Sequence, residues 1–229
     1  VEGLRLILWG LFKKVVIADY IMSHRADFTF TNYNHLDGGT LLIGLIYFAF
    51  QIYCDFSGYS DIAIGTAKLF GIEIISNFNF PYFSKNPTEF WERWHISLSS
   101  WIRDYLYFPL ALYFMKVNVG RFGKYKSHFI TMAIMGLWHG ANWKFFGWGI
   151  YWALIIIIYA EIRPYLSIIK ESILFQFIKT LFMFFITCGS YVFFRSESLS
   201  GAFQFFGYII TKFSFPETNR SGIIFILPF

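Results

Sequence analysis

The chain has 229 residues, of which 56% are hydrophobic and only 14% charged, and it carries 31 Phe, 15 Tyr and 8 Trp. A soluble domain has about a quarter of its residues charged, so this composition excludes a water-soluble enzyme and implies an all-α, polytopic integral membrane protein. The net charge of +5 comes without a basic stripe or a nucleic-acid motif, which assigns lysine and arginine to cytoplasmic loops and excludes nucleic acid as a partner.

In chain order, residues 4–22 form a first apolar helix. Lys13 and Lys14 interrupt it, as in an interfacial helix or a span end with both side chains snorkelling. A polar loop at 23–39 follows, with His24 and His35 in solvent. Residues 41–54 are almost wholly apolar and, with their flanks, span a bilayer. They run into Cys-Asp-Phe-Ser-Gly-Tyr-Ser-Asp-Ile-Ala-Ile-Gly at 54–65, which reads either as a glycine-rich break at membrane depth or as an ordinary polar turn with Asp61 as a cap. Residues 62–75 form a further short helix, and 77–81 are a linker.

Residues 86–110, Asn-Pro-Thr-Glu-Phe-Trp-Glu-Arg-Trp-His-Ile-Ser-Leu-Ser-Ser-Trp-Ile-Arg-Asp-Tyr-Leu-Tyr-Phe-Pro-Leu, are dense in charge and aromatics. Asn86 or Thr88 caps the start, Pro87 fits a first turn, and Pro109 closes the run. Phe90, Trp94, Leu98, Trp101, Tyr105 and Phe108 recur every three or four residues and fall on one helical face. Two readings stand: an amphipathic helix on the membrane surface, or a re-entrant helix that delivers His95 into the membrane.

Lys116, Arg121, Lys124 and Lys126 mark a cytoplasmic loop at 116–126. Residues 129–159 are too long for one straight span and must break at Gly-Leu-Trp-His-Gly-Ala-Asn-Trp, 136–143, with two helices meeting at His139. A polar connector covers 161–170, a span 172–194, an apolar helix 201–210 and a loop 213–221. The last residues begin another hydrophobic segment, so the chain reads as a piece of a longer protein, incomplete at both ends, forming one membrane domain over 1–229.

Cys54 and Cys188 sit in apolar runs as small fillers. Gly58-Tyr-Ser-Asp-Ile62 lacks the closing glycine of a hydrolase elbow, no His-Glu-x-x-His is present, and Glu92-Arg-Trp-His95 has no second copy to complete a di-iron site. His95 and His139 are the two histidines in segments that look membrane-embedded. A neutral imidazole there can take a proton from a hydroxyl that attacks an acyl carbon, or can simply bond a backbone carbonyl at a helix break.

The runs at 90–110, 54–65 and 136–143, together with Gly-Leu-Phe-Lys-Lys-Val-Val-Ile-Ala-Asp at 10–19 and Asn-Phe-Asn-Phe-Pro-Tyr-Phe-Ser at 77–84, resemble the signature blocks of the membrane-bound O-acyltransferase (MBOAT) family. They follow the family's order and are most similar to its bacterial alginate O-acetyltransferase branch, with the teichoic acid D-alanylation branch near. The resemblance implies helices, some re-entrant, around a transmembrane tunnel in the bacterial inner membrane. It implies His139 as catalytic base and His95 as the second tunnel histidine. Asn142 joins His95 in positioning the donor carbonyl, and Trp138 and Trp143 wall the tunnel. Trp94, Asp55 and Ser57 complete the expected substrate contacts.

No bound cofactor or metal is implied. The donor is an acyl thioester, acetyl-CoA or an acyl carrier, and the acceptor a polysaccharide hydroxyl reached directly or through a periplasmic or extracellular partner transferase, amid membrane lipids. A conduit that passes an acyl group or lipid-linked sugar to such a partner is the alternative, as is D-alanyl transfer to teichoic acid. The chain departs from the branch after Leu110, where Ala-Leu-Tyr replaces Gly-Gly, and after Gly149, where Ile-Tyr-Trp replaces a sequence that often contains histidine.

Overall fold

The computed structural model describes residues 1–117, 121–166 and 168–214, and among these the regular structure is helical. The expected hydrophobic tail at 222–229 and most of the loop at 213–221 lie outside the described residues. Among the described residues three helices are long and apolar enough to cross a membrane: α3, α8 and α9 below. The chain forms two compact units, Val1–Ser76 with the residues from Arg195 onward, and Asn77–Phe194.

In the first unit α1 (Glu2–Leu11) runs into a wider, π-helical stretch over Phe12–Met22, then α2 (Ser23–Thr31), α3 (Gly38–Leu69) and, from the C-terminal part, α10 (Leu199–Thr211). Asp37 caps α3, its carboxylate accepting from the Thr40 amide at 2.9 Å. The structure corrects two expectations here. Much of the polar stretch at 23–39 is helical, although His24 and His35 are exposed as expected. And 54–65 is neither break nor turn: α3 is continuous for 32 residues, so no separate helix covers 62–75.

The glycines in that stretch serve packing instead. A Cβ on Gly58 would stand 2.7 Å from the Gly10 carbonyl oxygen, and one on Gly3 2.7 Å from that of Gly65, so α1 lies antiparallel against α3 at backbone distance. Small residues at such a seam replace the hydrophobic drive that lipid removes. Beside it, Lys13 is 9% exposed rather than snorkelling. Its ammonium meets Asp61 at 2.7 Å and donates to Ser57 at 3.0 Å. Lys14 meets Asp55 at 2.7 Å and Asp19 at 2.9 Å. At the other end of the unit Phe30 stacks on Phe205 at 4.7 Å, and the Tyr33 hydroxyl donates to Gln204 at 3.0 Å.

The second unit holds α4 (Pro87–Arg93), α5 (Ile96–Ile102), a π-helical turn at Arg103–Tyr107, α6 (Phe108–Val117), α7 (Arg121–His139), α8 (Trp143–Leu166) and α9 (Ile173–Arg195, whose last residue belongs to the first unit). The run at 86–110 is therefore not one helix. It breaks at Trp94 and His95, and Pro109 does not close the run: helical backbone continues from Ile96 through the π-helical turn to Val117. The face expected to be continuous is split: Phe90 is buried, while Trp101, Tyr105 and Phe108 are exposed.

Arg121, Lys124 and Lys126 lie in the first turns of α7, not in a loop, and α8 carries on through Arg163 and Pro164 to Leu166. The break between α7 and α8 falls at His139 as expected. The unit's core is aromatic. Phe90 stacks on Trp152 at 5.0 Å and on Trp94 at 5.8 Å, and Trp91 meets Trp152 edge-on at 5.0 Å. Cys188 is buried here and Cys54 in the first unit, both as free thiols.

Candidate functional site

Two local devices place the histidines. The first is a clamp on the chain ahead of α5. Asn86 caps α4 by accepting from the Glu89 amide at 2.9 Å, and Glu89 pairs with Arg93 at 2.5 Å. The helix then stops because Trp94 turns extended and His95 takes φ 45° and ψ 55°, a left-handed backbone uncommon outside glycine. Segment 77–79 holds this conformation in place. Asn79 N–H donates to the Arg93 carbonyl and Ile96 N–H to the Asn77 carbonyl, both at 3.0 Å, with Phe78 and Trp94 paired antiparallel between them.

The Asn77 side chain joins in. Its Oδ1 accepts from Ser97 N–H at 3.2 Å and from the Ser97 hydroxyl at 2.6 Å, and it lies 3.4 Å from His95 Nδ1. Ser97 Oγ is 3.5 Å from the same ring nitrogen. A strained backbone carrying a polar ring, over-determined by its surroundings, is the kind of feature that clusters at functional sites.

The second device is the turn between α7 and α8. Gly136 lets the two helices close, since a Cβ there would run into the Phe145 carbonyl. After His139 the chain reverses in three residues, and Asn142 starts α8: its carbonyl accepts from Phe145 N–H at 3.0 Å and its Oδ1 from Lys144 N–H at 3.0 Å. Lys144 Nζ donates to the Phe194 carbonyl at 3.1 Å, tying the start of α8 to the end of α9.

The partly buried ring of His139 is boxed by aromatic edges, with Trp138 and Phe194 at 4.8 Å and Trp148 at 5.0 Å. Among the described residues no hydrogen bond holds its ring nitrogens, so the carbonyl-bonded reading of this histidine does not apply.

Of the other expected contacts, Asn142 is exposed, three residues after His139, with its side-chain oxygen occupied by the cap. Trp138 is 62% and Trp143 71% exposed; Trp143 meets Phe146 at 5.7 Å. Trp94 is packed into the aromatic core, 9% exposed, where it contacts Phe90, Phe78, Tyr82 and Tyr191. Asp55 and Ser57 belong to the other unit, where lysines engage both. Trp94 is thus engaged by packing, and Asp55 and Ser57 by lysines.

A cavity of about 330 Å³ opens between α4, α5, the π-helical turn, α7 and α8, lined by Trp91, Ser99, Arg103, Tyr107, His128 and Met135 among others. Neither His95 nor His139 lines it. Sequence reading passed over His128, whose Nε2 lies 3.1 Å from the Tyr107 hydroxyl. Its signal was the spacing of 128, 132, 135 and 139, one stripe of α7 that ends at His139. Among the described residues no group of three His, Cys, Asp or Glu could hold a metal ion.

With this geometry established, comparison with known proteins is informative. The family model described as MBOAT, membrane-bound O-acyltransferase family, matches residues 3–196. A Pseudomonas putida protein named Probable alginate O-acetylase AlgI is 38% identical over 224 residues, 97% of this chain and 44% of that protein. A Helicobacter pylori peptidoglycan O-acetyltransferase is 36% identical over 213 residues, 88% of this chain and 37% of its own length. A Streptococcus thermophilus teichoic acid D-alanyltransferase is 36% identical over 120 residues, 51% of this chain and 29% of its own. The chain thus spans less than half the length of the curated relatives it matches.

Proposed function

This chain belongs to the membrane-bound O-acyltransferase family, and we propose that it is the His139-bearing part of an enzyme that O-acetylates an extracytoplasmic polysaccharide. It is a multi-pass protein of the bacterial inner membrane. The family match runs across both compact units, which supports treating 1–229 as one membrane domain. Acetyl is favoured over D-alanyl because the relatives named for O-acetylation align with 97% and 88% of the chain, against 51% and 69% for two D-alanyltransferases.

The observation that carries the reading is the seat of His139: an imidazole at a helix break, walled by Trp138, Trp148 and Phe194, with no protein hydrogen bond on its ring among the described residues. A neutral imidazole so placed can accept a proton. As the acceptor oxygen bonds to the acyl carbon, its proton passes to His139. The carbon–sulfur bond then breaks, and the departing thiolate takes that proton from the imidazolium. Asn142, whose oxygen is held by Lys144 N–H, has its amide hydrogens left to donate to the acyl carbonyl. His95 completes the pair.

The surrounding aromatics keep water from the thioester. The donor in this reading is acetyl-CoA or an acyl carrier on the cytoplasmic side. The acceptor is a polysaccharide hydroxyl or that of a periplasmic partner transferase, and Trp138 and Trp143 contact substrate.

The test is His139→Ala in the full-length protein within its own cells. The variant is expected in the membrane at the normal level, with the O-acetyl content of the envelope polysaccharide lost; retained acetylation would refute the assignment. Purified full-length protein given labelled acetyl thioester separates catalysis from conduction: label moves to a hydroxyl acceptor in an enzyme and merely crosses in a conduit.

A further inference from the structure

The histidine clamp carries more than a position. The Ser97 backbone N–H donates to Asn77 Oδ1, so that atom is the amide oxygen and not the nitrogen. The Ser97 hydroxyl spends its one hydrogen on the same oxygen at 2.6 Å. Both oxygens facing His95 Nδ1, at 3.4 and 3.5 Å, therefore have lone pairs to offer and no hydrogen. A ring nitrogen facing two acceptors is favourable when it carries the hydrogen, and the partner of one ring nitrogen decides what the other does.

We propose that Asn77, braced by Ser97, is a positioning residue that fixes His95 as the Nδ1–H tautomer and so leaves Nε2 as a hydrogen-bond acceptor. The inference rests on the acyltransferase reading for its purpose, though not for its geometry. Asn77 suits the task because its backbone is pinned as well: its carbonyl accepts from Ile96 N–H, the residue next to His95. One residue thus sets both the left-handed main chain of His95 and the protonation of its ring.

The consequence is a division of labour. A neutral His95 with hydrogen on Nδ1 has no hydrogen on Nε2 to donate to an acyl carbonyl, so it does not polarise the donor, contrary to the sequence-based expectation. In that tautomer Nε2 can only accept. The carbonyl is left to the Asn142 amide. Donor and acceptor sides of the reaction are then held by residues from the two separate devices.

The experiment uses full-length protein with ¹⁵N-labelled histidine in lipid nanodiscs at neutral pH, the His95 signals being identified by their loss in His95→Gln. The wild type should show a pyrrole-like Nδ1 and a pyridine-like Nε2; the reverse pattern overturns the proposal whatever the activity. Asn77→Ala should scramble the two signals and lower transfer roughly 100-fold, the lower end of what a positioned acid–base group contributes. Asn77→Asp keeps an acceptor, so Nδ1 should retain its hydrogen and transfer should fall much less.

If both Asn77 variants lose transfer equally while the ring signals stay as in the wild type, Asn77 is a fold residue and the proposal fails. The acyltransferase reading fails separately, through retained acetylation in His139→Ala, and the tautomer result stands apart from it.

Discussion

Lys13 Nζ lies 2.7 Å from Asp61 Oδ2, with 11% and 22% of the two side chains exposed, in a helix seam where glycines bring the backbones together. Removing one member of such a pair strands the other charge and costs about 3–5 kcal/mol, whereas replacing both by apolar groups can be close to neutral. Lys13→Met alone should therefore lower the melting temperature of the full-length protein in nanodiscs, and Lys13→Met with Asp61→Leu should recover most of the loss. Equal melting of single and double variants would show that the pair contributes nothing to the seam.

The glycines of the same seam make a second prediction. A Cβ on Gly10 would stand 2.5 Å from the Gly58 carbonyl oxygen, backbone that cannot move aside. Gly58→Val should push α1 off α3 at a cost of roughly 1–3 kcal/mol, the usual range for overpacking. The variant should melt lower and be cleaved faster near residues 1–22 by added protease. Wild-type protection would mean that the two helices are not held this closely.

These two pairings also mark where the sequence was legible. The spans at 41–54 and 172–194 and the break at His139 follow from hydropathy and length, which the bilayer fixes. The stretch at 54–65 was misread because Gly, Ser and Asp in a row signal a turn in water. In lipid the same small and charged residues form an interhelical contact, with Gly58 against Gly10 and Asp61 against Lys13, and that partner is 48 residues away.

The break at His95 was hidden for the opposite reason. Local propensity from Asn86 to Leu110 favours one helix, and the competing hydrogen bonds come from Asn77 and Asn79. His139 and His95 were singled out from the family blocks. Packing of Trp94 and the His128–Tyr107 pair needed coordinates, since ring contacts such as Trp94 with Tyr191 join residues 97 apart.

The aromatic box around His139 predicts a change in reaction partition rather than a simple loss. Phe194 meets His139 at 4.8 Å, Phe145 at 5.3 Å and Trp148 at 5.2 Å, so it closes one side of the ring's surroundings. Phe194→Ala opens that side to water. Thioester hydrolysis without acyl transfer should rise relative to productive transfer, measured as free thiol released against label on the acceptor. An unchanged ratio, in a variant that remains folded, would remove Phe194 from the barrier against water.

The left-handed backbone of His95 allows stability to be separated from chemistry at one position. Its φ of 45° is a conformation that glycine adopts freely, asparagine tolerates and β-branched residues resist. Strain of this kind costs about 1–3 kcal/mol and is borne here by the bonds from segment 77–79. His95→Gly and His95→Asn should therefore melt at or above the wild-type temperature, while His95→Val should melt several degrees lower. All three lack the imidazole and should lose acyl transfer together.

The informative comparison is between Gly and Val, which are equally unable to accept a proton yet differ in backbone fit. If His95→Gly is inactive but as stable as the parent, the ring and not the fold accounts for the lost activity. If His95→Gly keeps activity, the left-handed turn is itself the feature that matters, and His95 acts by shaping the entry to α5 rather than through its ring.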